Sequence, residues 1–269
     1  MNIFCLVAHP DDETILTGGV LALLTARGAA VHVACLTRGE GGDLGEPPLT
    51  DREHLGEVRE QEMVCAVGKL GGKSLTFLGY TDPTVGPGEQ LFAPAHNPVM
   101  LAGQIAAAIK QFKIDAVLTH GSNGEYGHPA HVLLHQMALA VMAGLHKEQG
   151  EHMAHRPPMA GSPLPANSYG QTHVSAPLLY TFAANFPEHP RPRLANADDP
   201  ADLVLDVSPV LDKKEAAALC HKTQNPLFVR RRSQELGRPV TVREALLTVE
   251  SLHRLFGAPD DGLMKLLTG

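Results

Sequence analysis

The first half of the chain alternates short, wholly apolar runs with stretches of helical periodicity, and that alternation leaves few folds open. Ile3 to Ala8 is the first apolar run. It leads through polar residues into a helical stretch from Thr14 to Arg27, stopped by Gly28. Val31 to Thr37 is a second strand, followed by the glycine-rich loop Arg38-Gly39-Glu40-Gly41-Gly42. Thr50 and Glu53 have the form of a capping box opening a helix towards Leu70. Leu75 to Tyr80 predicts a third strand, Val99 to Phe112 a helix, and Ile114 to Thr119 a fourth strand. From Val132, the residues Leu134, Met137, Ala138, Val141, Met142 and Leu145 recur at helical spacing. Strands that are apolar on both faces, each followed by a helix, predict a Rossmann-like α/β fold. Its sheet is doubly wound and mostly parallel, with helices on both faces.

The segment 148–177 breaks the pattern. It is rich in Pro, Gly, Ser and His, carries little periodicity, and predicts a long irregular loop. Following the fourth strand's helix, it is placed to serve as a lid or an oligomer contact. Beyond it come strand candidates at Leu178 to Ala184 and Leu203 to Val207, then a helix from Val210 to Lys222. Thr241 with Glu244 caps a last predicted helix running to Phe256. The expected organisation is one domain over 1–269, with 178–269 as a C-terminal extension of strands and helices.

Composition narrows the function. The 22 Lys and Arg against 29 Asp and Glu give a formal net charge of −7, so nothing draws the whole chain to a phosphate backbone. Tryptophan is absent, which weakens any base-stacking surface. No apolar run approaches the roughly 20 residues of a membrane span, and the first residues lack a basic leader. Cys5, Cys35, Cys65 and Cys220 lie far apart in apolar contexts and read as reduced core residues of a cytoplasmic protein. The informative excess is histidine, 15 in all.

In an open parallel sheet, ligands bind beyond the carboxyl ends of strands where the winding reverses. For the order 3-2-1-4 that point lies between the first and fourth strands. After the first comes Ala8-His9-Pro10-Asp11-Asp12-Glu13; after the fourth, His120 is followed by Glu125-Tyr126-Gly127-His128-Pro129-Ala130-His131. A dinucleotide fold would need G-x-G-x-x-G at the first turn, where this chain places carboxylates that repel a pyrophosphate. His9 and Asp12, three residues apart in a strand-to-helix turn, can face one centre, with His131 or the helically adjacent His135 as a third ligand. Two imidazoles and a carboxylate suit a catalytic zinc with an open position. Asp11 is then free to act as a base, and His128 to serve the substrate side. His120 reads as a packed residue or a support to the ligands.

These two segments resemble the LmbE/PIG-L family of zinc-dependent N-deacetylases, which includes deacetylases of N-acetylglucosaminyl-phosphatidylinositol, mycothiol and bacillithiol biosynthesis. Order and spacing agree from Met1 to the Lys222-Thr223-Gln224 segment. The resemblance implies His9, Asp12 and His131 as zinc ligands, with Fe2+ or Mn2+ as alternatives in the cell, and Asp11 as general base. It implies His128 as the group polarising the substrate carbonyl, assisted by Tyr126. Arg59 and Asp82 stand where relatives contact sugar hydroxyls. The implied substrate is an N-acetylated amino sugar or glycoconjugate, with no nucleic acid partner and no membrane insertion.

The family usually has His-Pro-Asp-His where this chain has His128-Pro129-Ala130-His131. An aspartate there would orient and charge the catalytic imidazole. Its absence predicts a less basic His128, with Glu125 or an ordered water in the vacant role. Competing readings are an amidase for larger acyl groups, a metal-binding protein without activity, and a nucleotide-binding oxidoreductase.

Overall fold

The structure, a computed structural model, describes residues 1–154 and 176–269. Its strands are β1 (Asn2–Val7), β2 (Ala30–Thr37), β3 (Ser74–Tyr80), β4 (Ala116–Thr119), β5 (Leu178–Phe182), β6 (Ala184–Asn185), β7 (Asn196–Pro200), β8 (Leu203–Asp206) and β9 (Val249–Phe256). The helices are α1 (Asp12–Ile15), α2 (Gly18–Ala26), α3 (Leu55–Leu70), α4 (Pro98–Gln111), the single turn α5 (Gly124–Gly127), α6 (Pro129–Ala154), α7 (Leu211–Ala218), α8 (Asn225–Leu236), α9 (Val242–Ala245) and α10 (Gly262–Thr268).

Seven strands form the main sheet in the order β3-β2-β1-β4-β5-β9-β8, parallel through β5 and antiparallel at β9 and β8. The burial of β1 on both faces follows from its alternation. Ile3, Cys5 and Val7 pack with Val20, Leu24, Met63 and Val67 from α2 and α3. Phe4 and Leu6 pack with Leu101, Ile105, Leu134 and Met142 from α4 and α6. Helices therefore cover both faces, and the winding reverses between β1 and β4 as the sequence predicts.

The C-terminal half departs from its expectation. Thr241 and Glu244 do form a capping box, but the helix ends at Ala245 and Val249–Phe256 is a strand. Val249, Leu252 and Leu255 mimic a helical period. Ladder partners on both sides, β5 and β8, override it. The helix α8 has no counterpart in the sequence reading. The helix expected over Thr14 to Arg27 is broken into α1 and α2. At α3, Thr50 and Glu53 form no cap: the helix starts after His54 with no side-chain cap, and Asp51 Oδ1 accepts the His54 backbone N–H at 2.9 Å in the preceding turn. Residues 148–154 continue α6, and the remainder of the predicted loop, apart from 176–177, lies outside the described residues.

Two of the four cysteines are not reduced. Cys65 on α3 and Cys220 after α7 form a disulfide across 155 residues, with Cα atoms 5.8 Å apart, while Cys5 and Cys35 stay free in the core. Their spacing carries no signal because the pair is made by the packing of α3 along α7. Among the described residues, no helix is long and apolar enough to cross a membrane.

A wholly buried ion pair locks the C-terminal strands to the first helices. Glu250 on β9 accepts the backbone N–H groups of Gly19 and Val20 at 2.8 and 2.7 Å, satisfying the start of α2. Lys214 Nζ, on α7, lies 2.6 Å from Glu250 and also donates to the Leu247 carbonyl. Lys214→Met leaves that carboxylate buried without its cation, and we expect a loss of about 3–5 kcal/mol in urea unfolding. A loss under about 1 kcal/mol would show that the helix amides alone hold Glu250.

Candidate metal centre

The site lies where the loops after β1 and β4 meet at the carboxyl edge of the sheet. The Ala8 backbone N–H donates to His120 Nε2 at 3.0 Å, tying one loop to the other. Asp11 makes the turn into α1 with φ at 125°, a value that non-glycine residues rarely adopt. It places Asp11 and Asp12 on opposite errands. Asp12 turns inward, where its Oδ2 also accepts the His9 backbone N–H at 2.9 Å. Asp11 meets the guanidinium of Arg59 at 3.2 Å.

Three side-chain atoms face a common centre. His9 Nδ1 and His131 Nε2 are 3.3 Å apart, and each is 3.4 Å from Asp12 Oδ2. An ion bonded tetrahedrally to N and O ligands at 2.0–2.2 Å spaces them by about 3.3–3.6 Å. The triangle thus fits a small divalent cation, and all three residues are buried. His128 also borders the centre, its ring 4.5 Å from that of His9 and 4.6 Å from that of His131. His120 Nε2 also lies 3.5 Å from Asp12 Oδ2, so His120 forms a second possible cation group with Asp12 and His131, but here that nitrogen accepts the Ala8 N–H and Nδ1 is bonded to Glu125. His135 points away, its Nδ1 against the His120 carbonyl at 3.1 Å.

A shell of buried acids fixes the imidazoles. Glu125 Oε2 accepts from His131 Nδ1 at 2.5 Å and from His120 Nδ1 at 3.0 Å, leaving His131 Nε2 to face the centre. Asp82 Oδ1 lies 3.3 Å from His9 Nε2, an ion-pair contact without the geometry of a hydrogen bond. Glu13, fully buried, accepts the Asp11 backbone N–H at 3.0 Å and pairs with His221 at 2.8 Å. Arg59 is buried. Its Nη2 donates to the Pro10 carbonyl and to Asp11, and its Nη1 to the Gly39 carbonyl.

The vacancy left by Ala130 is filled differently from the expectation. Glu125 serves His131 and His120, not His128. The backbone N–H of Ala130 itself donates to His128 Nδ1 at 3.2 Å. That bond makes Nδ1 an acceptor and leaves the proton of the neutral ring on Nε2. Burial, then the positive charge of His9 and His131, pushes His128 down to about 3. Tyr126 stands half-exposed at the rim, its ring 5.7 Å from that of His128.

A family model described as PIG-L, GlcNAc-PI de-N-acetylase, matches residues 4–142. The 1D-myo-inositol 2-acetamido-2-deoxy-alpha-D-glucopyranoside deacetylase of Thermobifida fusca (strain YX) is 31% identical over 240 residues, covering 81% of each chain. The chain belongs to the PIG-L family. Its fold is shared with the N,N'-diacetylchitobiose deacetylase of Pyrococcus horikoshii, at a TM-score of 0.57 and 16% identity over 94% of this chain and 83% of that one. It is also shared with GalB, the 4-carboxy-2-hydroxymuconate hydratase of Pseudomonas putida KT2440, at 0.60 and 21% over 97% and 98%.

In this PIG-L member the structure places the eight candidate residues, His9, Asp11, Asp12, Arg59, Asp82, Tyr126, His128 and His131, close together at one edge of the sheet. The sequence reading misses Glu13 and His221. The only signals for them are that Glu13 continues the acidic run and that His221 precedes the Lys222-Thr223-Gln224 segment. His32 is a buried strand residue stacked on Phe112 and bonded to Ser74.

Protons and a cation compete for the triangle. Burial opposes charge on both rings, but Asp12 and Asp82 raise His9 to about 9, and Asp12 and Glu125 raise His131 to about 10. Without a cation, the stability these protonated rings contribute is full below about pH 6.5 and is lost as pH rises through 9 to 10. Chelator-treated protein should therefore melt progressively lower across that window, and cation-loaded protein should not. At neutral pH, titration calorimetry in buffers of differing ionisation enthalpy should register release of about two protons per cation bound. Binding without proton release would refute this charge state.

Proposed function

We propose that this protein is a zinc-dependent N-deacetylase that hydrolyses the acetamide of an amino sugar or glycoconjugate. The observation that carries the reading is the 3.3–3.4 Å triangle of His9, Asp12 and His131 beside the carboxylate of Asp11. The named activity of the Thermobifida fusca relative supports the substrate class. His9 Nδ1, Asp12 Oδ2 and His131 Nε2 would hold the cation, with Fe2+ or Mn2+ as alternatives accepted by the same donors. When bound, the cation supplies Lewis-acid activation of water and of the amide carbonyl.

The chain's own groups carry the protons. Asp11 takes one from the attacking water and returns it to the departing nitrogen, so that acetate and a free amino sugar leave. Burial lifts the Asp11 carboxyl to about 7 against the pull of Arg59, which suits a group that must both accept and release a proton near neutrality. His128, neutral with its proton on Nε2, donates to the oxygen that gains charge as the carbonyl is attacked. Tyr126 adds a second donor from the rim. Such donors are worth about 3 kcal/mol each. Asp82 faces the sugar hydroxyls, whereas Arg59, buried with its Nη atoms on Pro10, Gly39 and Asp11, acts by holding Asp11.

The test separates holding the cation from moving protons. Asp11→Asn should keep the bound metal by elemental analysis and lose about 10²–10⁴-fold in amine release from N-acetylated amino sugars. His131→Ala should lose metal and activity together. Full turnover in Asp11→Asn would remove Asp11 as the base. No amine release by metal-loaded wild-type protein from any such sugar would defeat the deacetylase reading.

A further inference from the structure

Glu125 is an unusual residue to find inside a turn. It is buried, and its backbone has φ at 59° and ψ at −82°, outside the regions comfortable for a side chain with a Cβ. Something must hold it there, and the holding group comes from the far side of the chain. Asn196, at the start of β7 and fully buried, inserts its amide into the loop that follows β4. Its Oδ1 accepts the Glu125 backbone N–H at 3.0 Å and that of Asn123 at 3.2 Å. Its Nδ2 donates to Glu125 Oε1 at 3.2 Å and to the carbonyls of Phe182 and Ala183 at 3.1 and 3.2 Å. One amide thus grips both the backbone and the carboxylate of Glu125.

The surroundings are built around this insertion. A Cβ on Gly121 would lie 2.1 Å from the Asn196 amide, so only glycine admits it. The Gly121 backbone N–H donates to Glu125 Oε1 at 3.1 Å. Further along β7, Asp199 takes the Ser122 backbone N–H at 2.9 Å and the Thr181 hydroxyl at 3.1 Å, clamping the same loop a second time. With Oε1 fixed by Asn196 and Gly121, Oε2 is left to His131 and His120.

We propose that Asn196 is a positioning residue for the cation site, acting through Glu125. It holds the strained turn so that the carboxylate fixes the His131 ring with Nε2 towards Asp12 and His9. The inference rests on the cation reading of that triangle, and its test is arranged so that the two fail separately. Carboxylates placed behind a ligand imidazole typically govern metal affinity by about 10–100-fold.

Zinc affinity is measured by chelator competition on wild type, Asn196→Ala, Glu125→Gln and the double variant, with the melting temperature of each taken cation-free. Asn196→Ala should bind zinc about 10–100-fold more weakly. The double variant should bind no worse than the weaker single one, because both act on the same ring. The cobalt-loaded visible spectrum of Asn196→Ala should also change in shape. Asn196→Ser, which retains a small polar group but cannot reach Glu125 Oε1, gives the same comparison should the alanine variant not fold. Unchanged zinc affinity in a folded Asn196 variant, or additive losses in the double variant, would overturn the proposal. Wild-type protein that binds no zinc would instead overturn the ligand assignment.

Discussion

The structure turns on two buried carboxylates that meet at one imidazole. Asp12 stands 3.4 Å from His131 Nε2 and Glu125 stands 2.5 Å from its Nδ1. Removing an ion from water costs several kcal/mol, so such a pair persists only with positive charge and hydrogen bonds supplied locally. His9 and His131 can supply that charge as protons, or a divalent cation can supply it in their place. The neighbouring arrangement follows from this constraint. The Ala8 amide fixes His120, Asn196 and Gly121 fix Glu125, and Arg59 neutralises Asp11 at the edge of the same cluster.

The parallel half of the sheet was legible because its strands are apolar on both faces, and β1 displays that alternation residue by residue. Strand order and the three-residue spacing of a strand-to-helix turn set His9 and Asp12 opposite the loop after the fourth strand but left His131 and His135 as alternatives, between which the family resemblance chose. What could not be read depends on contacts between remote segments. Val249–Phe256 has a helical spacing of apolar residues, yet it is a strand because β5 and β8 flank it. Cys65 and Cys220 meet only because α3 lies along α7. Glu125 was visible as an acid near the site, but which imidazole it serves is decided by a positive φ and by an asparagine 71 residues away.

Fold and chemistry separate in this family of structures. The same architecture appears in a hydratase and in a sugar deacetylase, at TM-scores of 0.60 and 0.57. The sheet therefore provides a crevice at its switch point, and side chains at that crevice select the reaction. Ala130 illustrates how local that selection is. At Ala130 a backbone N–H occupies Nδ1 of His128 and leaves a neutral ring with one proton to donate. An imidazole held this way suits hydrogen bonding to a developing oxyanion better than proton transfer, which the proposed mechanism gives to Asp11.

The most direct test of the central claim is anomalous diffraction at the zinc edge from crystals of the zinc-loaded protein. We expect one strong site bonded to His9 Nδ1, Asp12 Oδ2 and His131 Nε2 at about 2.0–2.2 Å, with His128 and Asp11 outside the bonds. An ion seated elsewhere, or held by His120 or His128 in place of any of these three, would contradict it.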